Sequence, residues 1–292
     1  MKTNKDTKNT YKRGRWNLQT ILLSPHGRPL DELTSLLAEK VRALEDMRAY
    51  LRDDIGAKRF NHALQLTEEV TEVTNRLESY AMLWFSEDTH NQDSLSFKGK
   101  IEKLVTDATN RVMFFNLWWK SLNDSVASRL IACAPDDLLY YLKRQRDFKP
   151  YTLPEREEQL VNIKDMNGVS ALTTVYAMLT NSYRFSLTVD GEDKELTRDA
   201  LMAYVRKPDP DIRAAAYQEL YRVYAEDGLT LSQIYSNRVR DWHEEQVRLR
   251  GFTSPISVRN LGNDIPDQVS ELLLDICRSN TGVFQRWFQV KA

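Results

Sequence analysis

Cysteine is nearly absent: Cys133 and Cys277 are the two in 292 residues, far apart and in no metal-like spacing. Such sparse use offers no thiolate metal site and fits a reducing compartment. Charge of one sign is missing too. The formal net charge of −1 leaves no basic excess for DNA, which would ask for a positive face. No long hydrophobic run exists; the most apolar short stretch, 112–119, falls far below the ~20 residues of a membrane span. The first fifteen residues carry Lys2, Lys5, Lys8, Lys12, Arg13 and Arg15 with no apolar segment, so they are not a secretory signal. Neither G-x-x-x-x-G-K-[ST] nor G-x-G-x-x-G occurs, which removes the common phosphate cradles. Histidine is limited to His26, His62, His90 and His243, and no two stand four apart as a helical zinc pair would. The expectation is a cytoplasmic protein with no nucleic-acid or membrane partner.

What remains is a long, mostly helical pattern. At 292 residues and 41% hydrophobic composition, the chain is long enough for a sizeable core. Residues 1–15 are expected as a basic disordered tail. Trp16, Leu18 and Ile21–Leu23 form a short apolar segment punctuated by Pro25, Gly27 and Pro29. A first helix is predicted over about Asp31–Asp54, with Leu33, Leu37, Val41, Leu44, Met47 and Leu51 on one side. The second repeats Ala63, Leu66, Val70, Val73, Leu77, Tyr80 and Trp84 in steps of three and four, a coiled-coil seam. The short break at 53–58 makes the pair an antiparallel hairpin. A third helix carries Phe97, Ile101, Leu104, Ala108, Val112, Phe115 and Trp119, widened by Phe114 and Trp118. No convergent polar groups accompany these rings, so they read as core and not as a ligand platform.

A shorter helix is predicted at Asp136–Arg146. Another begins at a capping box, Thr152-Leu153-Pro154-Glu155, and runs through Gly168, a candidate kink. At Tyr183–Val189 the period changes to two, Asp190-Gly191 supplies a turn, and the chain returns through Lys194–Leu196: one small β-hairpin. Asp209 and Pro210 open a helix that Gly228 closes. A last helix is expected from about Pro266, still apolar at Lys291-Ala292, as if interrupted.

Residues 229–261 are the most informative stretch. Thr230 and Gln233 form a second capping box, followed by the stripe Leu231, Ile234, Tyr235, Val239, Trp242 and Leu249. Gly251 suits the left-handed position after the helix, and 251–264 reads as a loop because Pro255 forbids resumption. Within the helix, His243-Glu244-Glu245-Gln246-Val247 is one residue short of H-E-x-x-H. Val247 has no lone pair to give a metal, so a zinc site is rejected here.

Several segments in order resemble oligoendopeptidase F, a zinc metallopeptidase of the thimet-oligopeptidase-like group. They are Trp16-Asn17-Leu18, Tyr80-Ala81-Met82-Leu83, Asp88-Thr89, Tyr151–Glu158, Lys164–Ala171, Leu249-Arg250-Gly251-Phe252-Thr253-Ser254-Pro255 and Arg259-Asn260-Leu261. Together they span 16–292. The resemblance implies a largely helical fold of two lobes facing a channel for short peptides. It also implies a zinc held by an H-E-x-x-H helix and a later Glu, which in the family pattern come after the last helix seen here. No catalytic, cofactor-binding or metal residue of that family can be placed on this chain.

The expected architecture is therefore mainly α, with an N-terminal antiparallel helical hairpin and one small β-hairpin. Residues 16–150 form one helical subdomain and 151–292 a second that continues into a missing catalytic lobe. The expected function is the non-catalytic N-terminal part of a zinc oligopeptidase, one wall of its substrate channel, without activity or zinc of its own. The alternative is a free-standing helical scaffold or interaction protein that lost its catalytic half. Either way, the exposed face of the terminal helix would meet the missing lobe or a partner.

Overall fold

The structure is a computed structural model and describes residues 16–292; the expected tail at 1–15 lies outside the described residues. Helix α1 spans Arg28–Met47. It begins a turn earlier than expected because Pro29, read as punctuation, sits in the first turn, where its missing N–H costs nothing. It ends earlier too: a 3-10 turn, Arg48–Tyr50, follows and Leu51 leaves the helical region. Helices α2 (Ala57–Glu87) and α3 (Gln92–Ser121) complete a bundle of three long helices. Asn91 caps α3, its side chain accepting from the Ser94 N–H at 3.0 Å.

The hairpin is antiparallel as the seam requires. The end of α1, Leu44 and Met47, packs with Phe60 and Ala63 at the start of α2, while Leu37 and Val41 meet Val70, Val73 and Leu77. The aromatic stripe of α3 is core: Phe97, Phe114, Phe115 and Trp119 are all buried. Trp119 stacks on Phe60 at 5.4 Å and donates its indole N–H to the Leu142 carbonyl at 3.0 Å. Burying each such ring contributes about 2 kcal/mol or more.

Two short helices close the lower end, α4 (Asp124–Ile131) and α5 (Leu139–Asp147). α4 was not expected. Arg146 of α5 donates to the carbonyls of Trp119 and Leu122, both at 2.8 Å, and pairs with Asp124 at 2.6 Å. Carbonyls left over at the end of α3 are thereby satisfied.

Next come α6 (Glu155–Asp165), a π turn at Met166–Ser170 and α7 (Ala171–Ser182), one nearly continuous helix interrupted where Gly168 stands. The Thr152 capping box does not form. Pro154 takes the cap position, Thr152 donates its hydroxyl to the Phe148 carbonyl, and Glu158 accepts from the Leu153 N–H instead. Strands β1 (Phe185–Val189) and β2 (Glu192–Leu196) pair in register Phe185↔Leu196 through Val189↔Glu192. Their turn has Asp190 at φ 55 and Gly191 at φ 79, as a two-residue hairpin of this twist demands. Phe185, Leu187 and Val189 point inward to Leu201 of α8 (Arg198–Tyr204) and Ala216 and Val223 of α9 (Pro210–Glu226).

α10 (Gly228–His243) follows α9 at once. Gly228 therefore opens a helix where closure of the previous one was expected, and Thr230 lies inside the first turn, so its capping box is not used. A second π turn, Glu244–Leu249, extends α10, and Gly251 takes φ 81. The expected loop after it is largely α11 (Pro255–Gly262): Pro255 starts this helix, and Ser254 caps it by accepting from the Ser257 N–H at 3.2 Å. The last expected helix is two, α12 (Asp267–Ser279) and α13 (Thr281–Lys291), broken at Asn280.

Candidate functional site

The helix α6–α7 and the helix α10 run past one another in opposite directions. At one end Tyr183, just beyond α7, donates its hydroxyl to Asp227, just before α10, at 2.8 Å. At the other, Arg250 reaches back to Glu158 of α6. Between them lies a groove of about 750 Å³, walled by Val169 and Tyr176 on one side and by Ile234, Val239 and Trp242 on the other. Both π turns fall at the same end of this groove. Such turns widen a helix by one residue and recur at functional sites.

Arg250 organises that end. Its Nη1 donates to Glu158 Oε1 at 2.8 Å, its Nη2 to Glu158 Oε2 at 2.9 Å and its Nε to Glu245 Oε1 at 2.7 Å. A further bond from Nη1 reaches the Tyr151 carbonyl at 3.2 Å. Gly251, in the left-handed region, turns the chain so that Phe252 lies flat on Tyr151, ring centroids 3.6 Å apart and planes 10° from parallel. All three charged side chains are about 15% exposed. Burial pushes the Glu158 carboxyl up, but the Arg250 guanidinium and the Leu153 N–H outweigh it and hold it below the usual carboxylate range. Burial lowers the Lys120 ammonium, which lines a smaller cavity of about 310 Å³ on the far side of the clamp.

Asp165, at the mouth of the first π turn, behaves differently. Its carboxylate has no ion-pair or hydrogen-bond partner among the described residues. Partial burial raises its carboxyl from 3.8 to about 6; the nearby Glu245 and Asp241 charges add to the rise and Arg250 opposes it.

The residues present do not fit a zinc ion. His243 is half-exposed with Glu244 3.9 Å away, and Val247 stands where a second imidazole would be needed. His26 lies edge-on to Trp84 in the N-terminal bundle. Among the described residues, no three of His, Cys, Asp and Glu gather closely enough to hold a metal ion. Sequence reasoning named no site residue, and the groove is what it missed. A signal was nevertheless present: Arg250 and Phe252 belong to one of the segments that carried the resemblance, and Tyr151 and Glu158 to another. The fold presses these two segments together.

A second surface stands out. α12 and α13 bury no residue, and Leu272, Leu273, Ile276, Phe284, Trp287 and Phe288 are each more than half exposed. The start of α12 is nonetheless fixed: Asp267 accepts from the Ser257 hydroxyl at 2.7 Å and the Asn260 amide at 2.8 Å. Among the described residues no helix is long and apolar enough to cross a membrane.

This is a mainly α architecture with an antiparallel hairpin of long helices and a single two-stranded sheet among the described residues, and it is similar to part of a solved peptidase. Oligoendopeptidase-F from Enterococcus faecium matches with a TM-score of 0.77 at 22% identity, over 89% of this chain and 52% of that one. A putative peptidase from Chlamydophila abortus matches with a TM-score of 0.58 at 17% identity, over 95% of this chain and 47% of that one. Two curated relatives agree in sequence. Group B oligopeptidase PepB of Streptococcus agalactiae is 21% identical over 94% of this chain and 46% of its own length. Oligopeptidase PepF of Bacillus subtilis is 21% identical over 94% of this chain and 41% of its own length. The chain thus spans somewhat less than half the length of the curated relatives it matches. No family model matches the chain. The resemblance to oligoendopeptidase F drawn from the sequence is borne out by these relatives and by the fold.

Proposed function

We propose that this chain is the non-catalytic, N-terminal part of a zinc oligopeptidase and forms one wall of its peptide channel. The observation that carries the reading is the share of the relatives' length that the chain covers, 46% and 41%. The uncovered apolar face of α12 and α13 supports it, since a large exposed patch of this kind marks an interface. On this reading the remaining half packs on that face and supplies the zinc and the water it activates. Residues 16–150 and 151–292 are two subdomains of the wall. Short peptides are the substrates of the whole enzyme, in the cytoplasm.

The chain given quenched short peptides and free zinc is expected to show no turnover and to retain no stoichiometric zinc. Turnover that a chelator abolishes would overturn the reading. A free-standing scaffold is the second reading, favoured by the same exposed face, which would then receive a separate helical partner. An open frame running past codon 292 into H-E-x-x-H separates the first from the second.

A further inference from the structure

The groove between α7 and α10 changes character along its length. Because the helices are antiparallel, Tyr176 stands across from Ile234 and Tyr235 at one end, and Asp165 lies near Asp241 and Glu245 at the other. Val169, Val239 and Trp242 form an apolar stretch between. The acids near the polar end are not equivalent. Glu158 and Glu245 are both answered by Arg250, whereas Asp165 and Asp241 make no ion pair or hydrogen bond from their side chains among the described residues. They are not spaced to share a metal ion with a third donor. Arg238, one helical turn before Asp241, and Arg259, whose guanidinium lies 5.9 Å from the Trp242 ring centre, add positive charge to the lining, and Arg250, paired with Glu158 and Glu245, partly offsets the charge around Asp165. A cationic group entering the groove therefore finds unpaired carboxylates at Asp165 and Asp241, while the guanidinium groups beside them favour a single charge there over several.

The complement of such a groove is a chain that begins with a cation and continues with apolar side chains. A volume of about 750 Å³ lies within the ~300–1,000 Å³ range of small-ligand clefts. An extended backbone advances about 3.3 Å per residue, so the first few residues of a peptide match the run from Asp165 towards Tyr176. A free α-ammonium offers three hydrogen-bond donors to carboxylates that lack them.

We propose that this groove holds the amino-terminal end of a short peptide, its free ammonium on Asp165 and its leading side chains against Val169, Val239 and Trp242. The inference rests on the reading of the chain as part of an oligopeptidase and gives this wall a definite role, to set the direction in which a peptide lies. The rival occupant is a helix of the remaining half.

Titration calorimetry of the full chain tests this with a free-amino hexapeptide beginning with leucine and its N-acetylated twin. Acetylation is expected to weaken binding by about tenfold or more, the loss of a charge-assisted hydrogen bond. Asp165→Asn is expected to weaken the free-amino peptide by a similar factor and to erase the difference between the twins. Glu32→Gln, on α1, leaves both affinities unchanged. Equal binding of the twins to the unmodified chain overturns the inference, and this comparison needs no variant to fold. A persisting acetylation penalty in Asp165→Asn overturns the assignment to that carboxylate. Absence of binding by either twin at millimolar concentration overturns the peptide as occupant in favour of the helix. None of these results bears on chelator-sensitive turnover, so the two readings fail separately.

Discussion

Arg250 grips Glu158 with both arms of its guanidinium, at 2.8 and 2.9 Å, across 92 residues of sequence. The pair joins the helix before one π turn to the residue after the other. It is the fastening that holds α6 to the end of α10.

Removing the clamp should be costly. Arg250→Met leaves Glu158 and Glu245 facing each other, both about 15% exposed, with no cation between them. A loss of about 3 kcal/mol is expected, the lower end for a broken buried pair. Urea denaturation should show a lower midpoint at unchanged slope. Arg250→Lys should recover only part, because an ammonium cannot reproduce the two-pronged geometry.

Asp165 gives a pH signature with the opposite sign to most carboxylates. Its folded-state value, about 6, lies above its ordinary 3.8. The folded state therefore favours the protonated form, and that contribution is complete below the ordinary value and lost as pH rises through about 6. Asp165→Asn should then be more stable than the parent at neutral pH by about 1 kcal/mol, after discounting for solvent screening. The advantage should vanish below about pH 4. Thermal melts of both proteins across this range check it; parallel curves would contradict it.

Trp119 is the heaviest fully buried side chain of the bundle. Trp119→Leu removes the stack on Phe60 and the indole hydrogen bond to the Leu142 carbonyl. A loss of about 3 kcal/mol is expected from cavity and hydrogen bond together. The measurement is again a denaturation midpoint.

The α12–α13 face should behave as a surface. Leu272→Glu combined with Trp287→Ser is expected to change stability by no more than about 0.5 kcal/mol. It should also lower any concentration-dependent self-association seen by light scattering. Unfolding of the doubly substituted chain would mean that these residues already serve an internal core.

Long helices were legible in the sequence because burial writes a period on them. In α2 the positions Ala63, Leu66, Val70, Val73 and Leu77 are all buried, as their spacing demanded. Helices α4, α8 and α11, of eight, seven and eight residues, are too short to write a stripe. Pro29 and Pro255 were read as stops when each begins a helix, since proline forbids a donor only where one is needed. Thr230 and Thr152 carried a cap signal that the chain overrode, one by continuing directly from α9 and the other by seating Pro154 in the cap position. The groove left only an indirect trace, in the two resemblance segments that supply Arg250 and Glu158. Asp165 and Glu245 become neighbours through tertiary packing, and no local pattern announces a meeting of that kind.

The two π turns, Met166–Ser170 and Glu244–Leu249, each amount to one surplus residue in an otherwise regular helix. Shortening the chain by a single residue inside either should restore ordinary winding without swivelling the residues beyond it. The same deletion in mid-α2 would rotate every later side chain by about 100°. Length variation within these helical rods should therefore gather at those two places, and an engineer wishing to narrow the groove would cut there first.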